Sequence, residues 1–455
     1  MNLLVTVLSF LVTVGVLVVI HELGHYAAAR FLGVKVLRFN VGFGRVLWMR
    51  RVGRDRTEWA VAAVPLGGYV KMLDEREGEV EAADRPRAFN NKPVLSRILI
   101  VLAGPAANLA LAVLVYWVLF MAGIPGVKPV LGAPPAGSAA AAAGLVNGDT
   151  LRSVDDAAVY SWNDVRWSLL KDAVHGAAAS LEVETPSGSH AVRRLEMASL
   201  SKDDLDRDFL ALLGMRPYRP PVPALLGPVL PGSAAERAGL AQGDLVVSAQ
   251  GKPIATWFDF TAAVIASPGR PIAFEVERQG SPVHIVATPE SVGEGAAAIG
   301  RLGVEASDRL KQEYDRMTTT VRFGPVTALG KAAAKVSDLS VFSLKMLGRM
   351  VVGQVSWRNL SGPITIADYA GQSAQLGWLA WLGFLALVSV SLGVLNLLPI
   401  PLLDGGHLVY YLAEIVKGSP VSERVMEIGQ RFGLALLICL TAFAFYNDIN
   451  RLITG

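Results

Sequence analysis

The sequence predicts a multi-pass α-helical membrane protein with four spans, a membrane-associated β-hairpin loop, and two tandem small α+β domains between the second and third spans. Three observations carry that prediction. The 455 residues are 52% hydrophobic and only 18% charged, too apolar for an ordinary soluble chain. Four stretches carry no charge and can cross a bilayer: Leu3 to Ile20, Ile98 to Val127, the run between Asp368 and Asp404, and Phe432 to Asn447. Gly137 to Asp164 aligns without gaps on Gly232 to Asp259 with twelve identities in 28 positions, which marks a tandem duplication.

The net charge of +3 forms no extended basic stripe outside one loop, so no nucleic-acid partner is expected, and the lipid bilayer is the expected surrounding. The single cysteine, Cys439, excludes an intramolecular disulfide and a cysteine zinc cage. Any metal must be held by His and carboxylate.

Leu3 to Ile20 resembles a signal peptide in apolarity, but it lacks a basic n-region, and no small-residue cleavage site precedes the motif that follows. It therefore reads as a spanning helix, about 27 Å long before His21. His21-Glu22-Leu23-Gly24-His25 then puts two histidines four apart on one helix face, where both can hold one zinc ion with Glu22 beside its bound water. The blander reading is a pair of core or snorkelling histidines with a chance glutamate. Ionisable groups at membrane depth are costly and normally mark function.

From Arg30 to Arg97 the chain is basic, which places this loop in the cytoplasm and the N-terminus outside. Gly42-Phe43-Gly44 and Thr57 to Met72, with a Pro65-Leu66-Gly67-Gly68 turn, suggest a hairpin or small sheet. It is either a surface hairpin or an edge that pairs with an extended substrate. Ile98 to Val127 returns the chain outside; Gly104-Pro105 is expected to interrupt it, and Asn108 bonds either a neighbouring helix or a group behind a metal ligand.

Both repeats read as a short helix ending at Gly, a turn and alternating strands, a pattern that resembles PDZ domains. Leu213-Gly214-Met215 and Leu302-Gly303-Val304 are candidate peptide-binding segments, unless the pair acts only by bulk. Arg301 to Gln354 is amphipathic, with Leu339, Phe342, Met346 and Met350 on one face, a packing surface or a membrane-surface helix. The run before Asp404 is longer than one crossing needs and ends in Asn396-Leu397-Leu398-Pro399-Ile400-Pro401-Leu402-Leu403-Asp404-Gly405-Gly406. Two prolines unwind the backbone, which at membrane depth is tolerated only where it lines a site. Asp404 is then the natural third ligand, leaving an open position for water; the alternative is an interfacial helix N-cap. Phe432 to Asn447 spans if Arg431 snorkels and Asp448 lies at the interface. Charge-derived topology thus brings His25 and Asp404 to one membrane level.

The expected segments are 1–33 (first span), 34–97 (β loop), 98–127 (second span), 128–220 and 221–309 (the repeats), 310–368 (amphipathic), 369–406 (third span), 407–431 (cytoplasmic loop) and 432–450 (fourth span).

Over essentially its whole length the chain resembles the bacterial site-2 intramembrane zinc metalloproteases. The resemblance rests on the HELGH motif, Gly42-Phe43-Gly44, Pro65 to Lys71, Ala103-Gly104-Pro105-Ala106-Ala107-Asn108, the tandem repeats, Asn359-Leu360-Ser361-Gly362-Pro363, and Asn396 to Gly406. It implies one Zn²⁺ held by His21, His25 and Asp404, Glu22 as catalytic acid/base, and Asn396 contacting substrate. It also implies that the loop around Gly42, Phe43, Gly44, Gly67, Gly68, Tyr69 and Val70 helps hold an unwound substrate. The implied partners are single-span membrane proteins of the anti-sigma-factor type and remnant signal peptides. The implied location is the bacterial inner membrane, with periplasmic PDZ domains acting as a size filter and the site near the cytoplasmic side. Two other classes compete. A membrane PDZ scaffold would not need Glu22, and a metal-ion transporter would carry more ligands along a path.

Overall fold

The computed structural model describes residues 3–173, 178–197, 208–293, 298–352 and 362–454. It has two compact units, residues 1–124 with 322–454, and residues 125–321.

Helix α1, Leu3–Phe31, runs unbroken through the histidine motif, with His21 and His25 on the same buried side as Leu17 and Ala29. Strands β1, Val36–Val52, and β2, Thr57–Met72, pair antiparallel. Both bend. The first half of β1 pairs with 68–72 on one side and with 58–61 on the other, and its second half pairs with 57–62. Residues 57–62 are therefore interior, whereas 68–70 pair with a strand on one side only among the described residues. Part of the loop's positive charge holds this sheet in place: Arg30 and Arg87 both bond Asp55, and Arg38 and Arg51 both bond Glu58.

Helix α2, Val94–Ala122, is continuous through Pro105, so the expected interruption is absent. A proline removes one intrahelical bond, and packed neighbours can hold such a helix straight. The helix stops at Gly123, and Ile124–Val127 is strand β3, short of the predicted end of the span.

The second unit contains two lobes with the same order of elements. The first has α3 (Ala139–Ala142), β4 (Thr150–Val154), β5 (Ala157–Ala158), α4 (Trp162–Ala173), β6 (Ala179–Glu184), β7 (His190–Leu195) and α5 (Phe209–Leu212). The second has β8 (Leu226–Val229), α6 (Ala234–Ala238), β9 (Leu245–Ala249), β10 (Lys252–Pro253), α7 (Trp257–Ile265), β11 (Ile272–Arg278) and β12 (Ser281–Ala287), then β13 (Glu290–Val292), β14 (Ile299–Arg301) and β15 (Val304–Ala306). The sheet orders β5-β4-β6-β7 and β10-β9-β11-β12 correspond strand for strand. Each lobe has its own apolar core, one around Leu151, Leu181 and Phe209, the other around Val246, Phe260 and Phe274. The shared Gly-Asp step has a physical cause. Gly148 and Gly243 both sit at φ +90°, which favours glycine, and Asp149 and Asp244 are buried, accepting from the backbone N–H of Val146 and Ala241. Of the proposed peptide-binding segments, Val304 lies in β15, which pairs with β8. Helix α8, Asp308–Met317, and β16, Thr318–Val321, which pairs with β3, complete this unit.

The chain then forms α9 (Pro325–Val351), α10 (Pro363–Leu376), α11 (Trp378–Asn396), α12 (Asp404–Lys417) and α13 (Glu423–Thr454). On α9 the buried residues Ala328, Ala332, Val336, Leu339 and Met350 make the amphipathic stripe a packing surface against α2. The apolar run before Asp404 divides into α10 and α11 at Gly377, whose φ of +115° breaks the helix, so the third span starts at Trp378 and not at 369. The fourth is part of a longer helix beginning at Glu423, ahead of the expected 432. Asp448, expected at the interface, is buried: its carboxylate accepts from the backbone N–H of Gly362, Ile364 and Thr365 at 2.9–3.1 Å and so caps α10. Asn359 to Ser361 lie outside the described residues. α1, α2, α11 and residues 423–450 of α13 are each long and apolar enough to cross a membrane, which makes this a multi-pass membrane protein with β-rich domains.

Candidate active site

On α1, His21 and His25 lie one turn apart with their Nε2 atoms 3.2 Å from each other. Two glycines permit the close packing of this segment on α2. A Cβ at Gly24 would overlap the Ala103 carbonyl, and one at Gly104 would overlap the His25 ring. The His25 Nδ1 faces the Ile100 carbonyl at 2.9 Å. A carbonyl only accepts, so Nδ1 carries the ring proton and the neutral ring keeps a lone pair on Nε2.

Asp404 arrives from the far end of the sequence. Residues 397–403 are irregular, with Ile400 and Leu403 bonded back to Leu398 and Ile400 and with Leu402 at φ +87°. Gly405 and Gly406 let α12 begin against that loop, since a Cβ at either would overlap the carbonyls of Leu398 or Ile400. This fixes Asp404 in the first turn of α12, with one carboxylate oxygen 3.2 Å from His21 Nε2 and the other 3.4 Å from His25 Nε2.

These three donors fit a zinc ion. Ligand atoms about 2.0–2.1 Å from zinc in a tetrahedral site stand about 3.3 Å apart. The two Nε2 atoms are 3.2 Å apart, and each has its own Asp404 oxygen nearby, Oδ2 at 3.2 Å from His21 and Oδ1 at 3.4 Å from His25, so every neighbouring pair stands near that spacing. Asp404 Oδ2 is buried yet accepts no hydrogen bond, and two imidazole nitrogens face each other; both are what converging donors look like around a cation. No other group of three such side chains close enough to share an ion is present among the described residues.

Glu22 lines a cavity of about 780 Å³ that also reaches His25, Asp404, Tyr69, Val70 and His407. Residues 68–72 of β2 run past Glu22, where a Cβ on Gly68 would sit 3.0 Å from its Cγ. Of the loop residues that sequence singled out, Gly68, Tyr69 and Val70 thus reach the site. Gly42, Phe43, Gly44 and Gly67 instead form the bend of the hairpin, with Gly42, Gly44 and Gly67 at positive φ and the Phe43 ring against Gly67. Asn396, at the end of α11, points its Nδ2 at His21 Nε2 from 3.4 Å. Sequence reasoning overlooked Gly24, Gly104, the Ile100 carbonyl and the buried Arg97–Glu414 pair at 2.7 Å on the cavity wall. The glycines left a signal, since both lie inside quoted motifs; a backbone carbonyl leaves none.

Residues 9–440 match peptidase family M50. A protein of Ralstonia nicotianae whose name describes a zinc metalloprotease is 44% identical over 99% of both chains. The regulator of sigma-E protease RseP of Escherichia coli is 42% identical over 98% of both chains. Protease RseP of Yersinia pestis is 41% identical over 99% of this chain and 100% of its own. Taken with the site's geometry, these full-length matches mean that the chain belongs to peptidase family M50 and is a site-2 intramembrane metalloprotease of the RseP type.

Proposed function

We propose that His21, His25 and Asp404 hold one Zn²⁺ and that Glu22 is the acid/base of a peptidase acting on the transmembrane segment of single-span proteins. The observation that carries this reading is the convergence of two imidazole nitrogens and one carboxylate within a few ångströms of one another beside Glu22. Zinc bound there supplies a Lewis acid that brings a water's pKa toward neutrality and polarises the scissile carbonyl. Glu22 takes the water's proton and delivers it to the departing amide nitrogen. A helical substrate hides its carbonyls in its own hydrogen bonds, so it must unwind locally. The side of residues 68–70 that pairs with no strand, with Tyr69 and Val70, offers backbone partners to the unwound segment, and the Gly42, Phe43, Gly44 and Gly67 bend sets that edge at Glu22. Asn396, beside His21, contacts the substrate backbone. The relatives' names support zinc and a sigma-E-type regulatory role.

The two lobes of the second unit are read as PDZ domains, spanning 128–220 and 221–309, that restrict access to substrates already shortened outside. Those substrates are anti-sigma-factor-like proteins and remnant signal peptides in the bacterial inner membrane, with the PDZ pair periplasmic and the site near the cytoplasmic side. The test is cleavage of a tagged single-span substrate in zinc-containing proteoliposomes. Wild type is expected to cleave and Glu22→Gln to retain zinc while losing activity by about 10²-fold or more. Zinc lost together with activity would make Glu22 a ligand and refute its role as proton carrier.

A further inference from the structure

Both histidines need their second ring nitrogen held, and for His21 the polar group in place among the described residues is Asn108. Asn108, fully buried on α2, puts its amide nitrogen 3.3 Å from His21 Nδ1, while its Oδ1 is buried without a hydrogen-bond partner. Ile100, Gly104 and Asn108 stand at i, i+4 and i+8 on one face of α2. The first meets His25 Nδ1 through its carbonyl, the second makes room for the His25 ring, and the third meets His21. The Asn108 backbone is fixed in turn, because its carbonyl accepts from the buried Ser389 Oγ of α11 at 2.7 Å.

If His21 donates through Nε2, its ring proton sits on Nδ1 and needs an acceptor. The amide nitrogen cannot accept, but a half-turn of the side-chain amide exchanges its two nearly isosteric ends. That turn gives the His21 proton an acceptor and Oδ1 its bond, and moves Nδ2 to the place that Oδ1 held. We infer that Asn108 is the positioning residue of His21, its Oδ1 accepting the Nδ1–H and fixing Nε2 as the metal donor. Neither histidine would then depend on an outer carboxylate: one is held by a main-chain carbonyl, the other by a side-chain amide, both from α2. The inference rests on His21 being a ligand.

The test uses the full-length protein in detergent, with zinc affinity measured by competition against a chromophoric chelator. Asn108→Leu, which has no acceptor, is expected to raise the zinc Kd about 10–100-fold, the range typical of such supporting groups. Asn108→Asp keeps the shape and offers only acceptors. It is expected to bind zinc at least as tightly as wild type and to move the His21 Nδ1–H proton resonance downfield in ¹⁵N-histidine-labelled protein. An unchanged Kd in the Leu variant, a loss in the Asp variant as large as in Leu, or an unmoved His21 resonance in the Asp variant each overturns the inference. Should the Leu variant not fold, the Asp resonance and Kd decide alone. His21→Ala separates the two levels: full zinc occupancy there would refute the metal-site reading itself, whereas zinc lost there but unchanged in Asn108→Leu would refute only the role of Asn108.

Discussion

Gly104 packs directly against His25, and a methyl group there would overlap the imidazole, with Cδ2 2.8 Å away. The residue is therefore a space requirement of the site as much as a feature of α2, and it separates local propensity from site geometry. Alanine improves a helix by about 1 kcal/mol over glycine. Gly104→Ala should nevertheless lower zinc occupancy at least tenfold by displacing His25. Gly15→Ala on α1, where nothing lies within 4 Å of the new Cβ, should leave occupancy unchanged. Zinc analysis of the two purified variants is the measurement, and full occupancy in Gly104→Ala would mean that His25 is not a ligand.

Asp404 lies 379 residues after His25 and meets it only through the fold. Asp404→Ala removes both oxygens, and zinc occupancy should fall with activity falling at least as far. Asp368 is half-buried on α10, a different helix from those of the three converging groups, and accepts from Gln372 Nε2 at 2.7 Å, so Asp368→Asn should change neither. Metal content of the two proteins, measured side by side, checks the pair of outcomes.

The size-filter role proposed for the second unit has a direct test. Replacing residues 129–289 with a flexible linker should allow cleavage of substrates whose outer domains are intact, while the rate on shortened substrates stays within a few-fold. Unchanged discrimination in a proteoliposome assay would remove the filter from the mechanism.

In the second lobe Asp244 is buried and bonded by Arg278 at 2.7 and 2.8 Å. Burial by itself would raise the Asp244 carboxyl, but Arg278 and the Ala241 N–H outweigh it and hold the group below its ordinary value. A depressed folded pKa contributes stability above the unfolded value, near 4, and loses it as pH falls through the folded one. Arg278→Met should therefore destabilise this lobe at pH 7, with the difference from wild type shrinking as pH falls below about 4. Hydrogen exchange of β9 and β11 in the intact protein, followed against pH, reads this out; a difference that does not shrink at all as pH falls below about 4 would assign the cost to lost packing.

The sequence alone determined the chemistry and the economy of the fold. Apolar runs too long and too uncharged for water specify spanning helices, because in lipid the backbone must satisfy itself. The four-residue spacing of His21 and His25 places two imidazoles on one face, and a self-matching segment reveals a duplication. The proline-rich break before Asp404 was legible for the same reason, since unwound backbone at membrane depth needs a site to line. What only the tertiary structure decided depends on contacts between distant elements. Pro105 leaves α2 continuous, Gly377 divides the apolar run, and Asp448 caps α10 from another helix, all settled by packing partners that periodicity does not contain. The same holds at the site. Which edge of the bent hairpin stays uncovered beside Glu22, and which atoms of α2 stand behind each imidazole, follow from how three elements close on one another. A backbone carbonyl such as that of Ile100 belongs to every residue alike, so its use is visible only once the chain has folded around it.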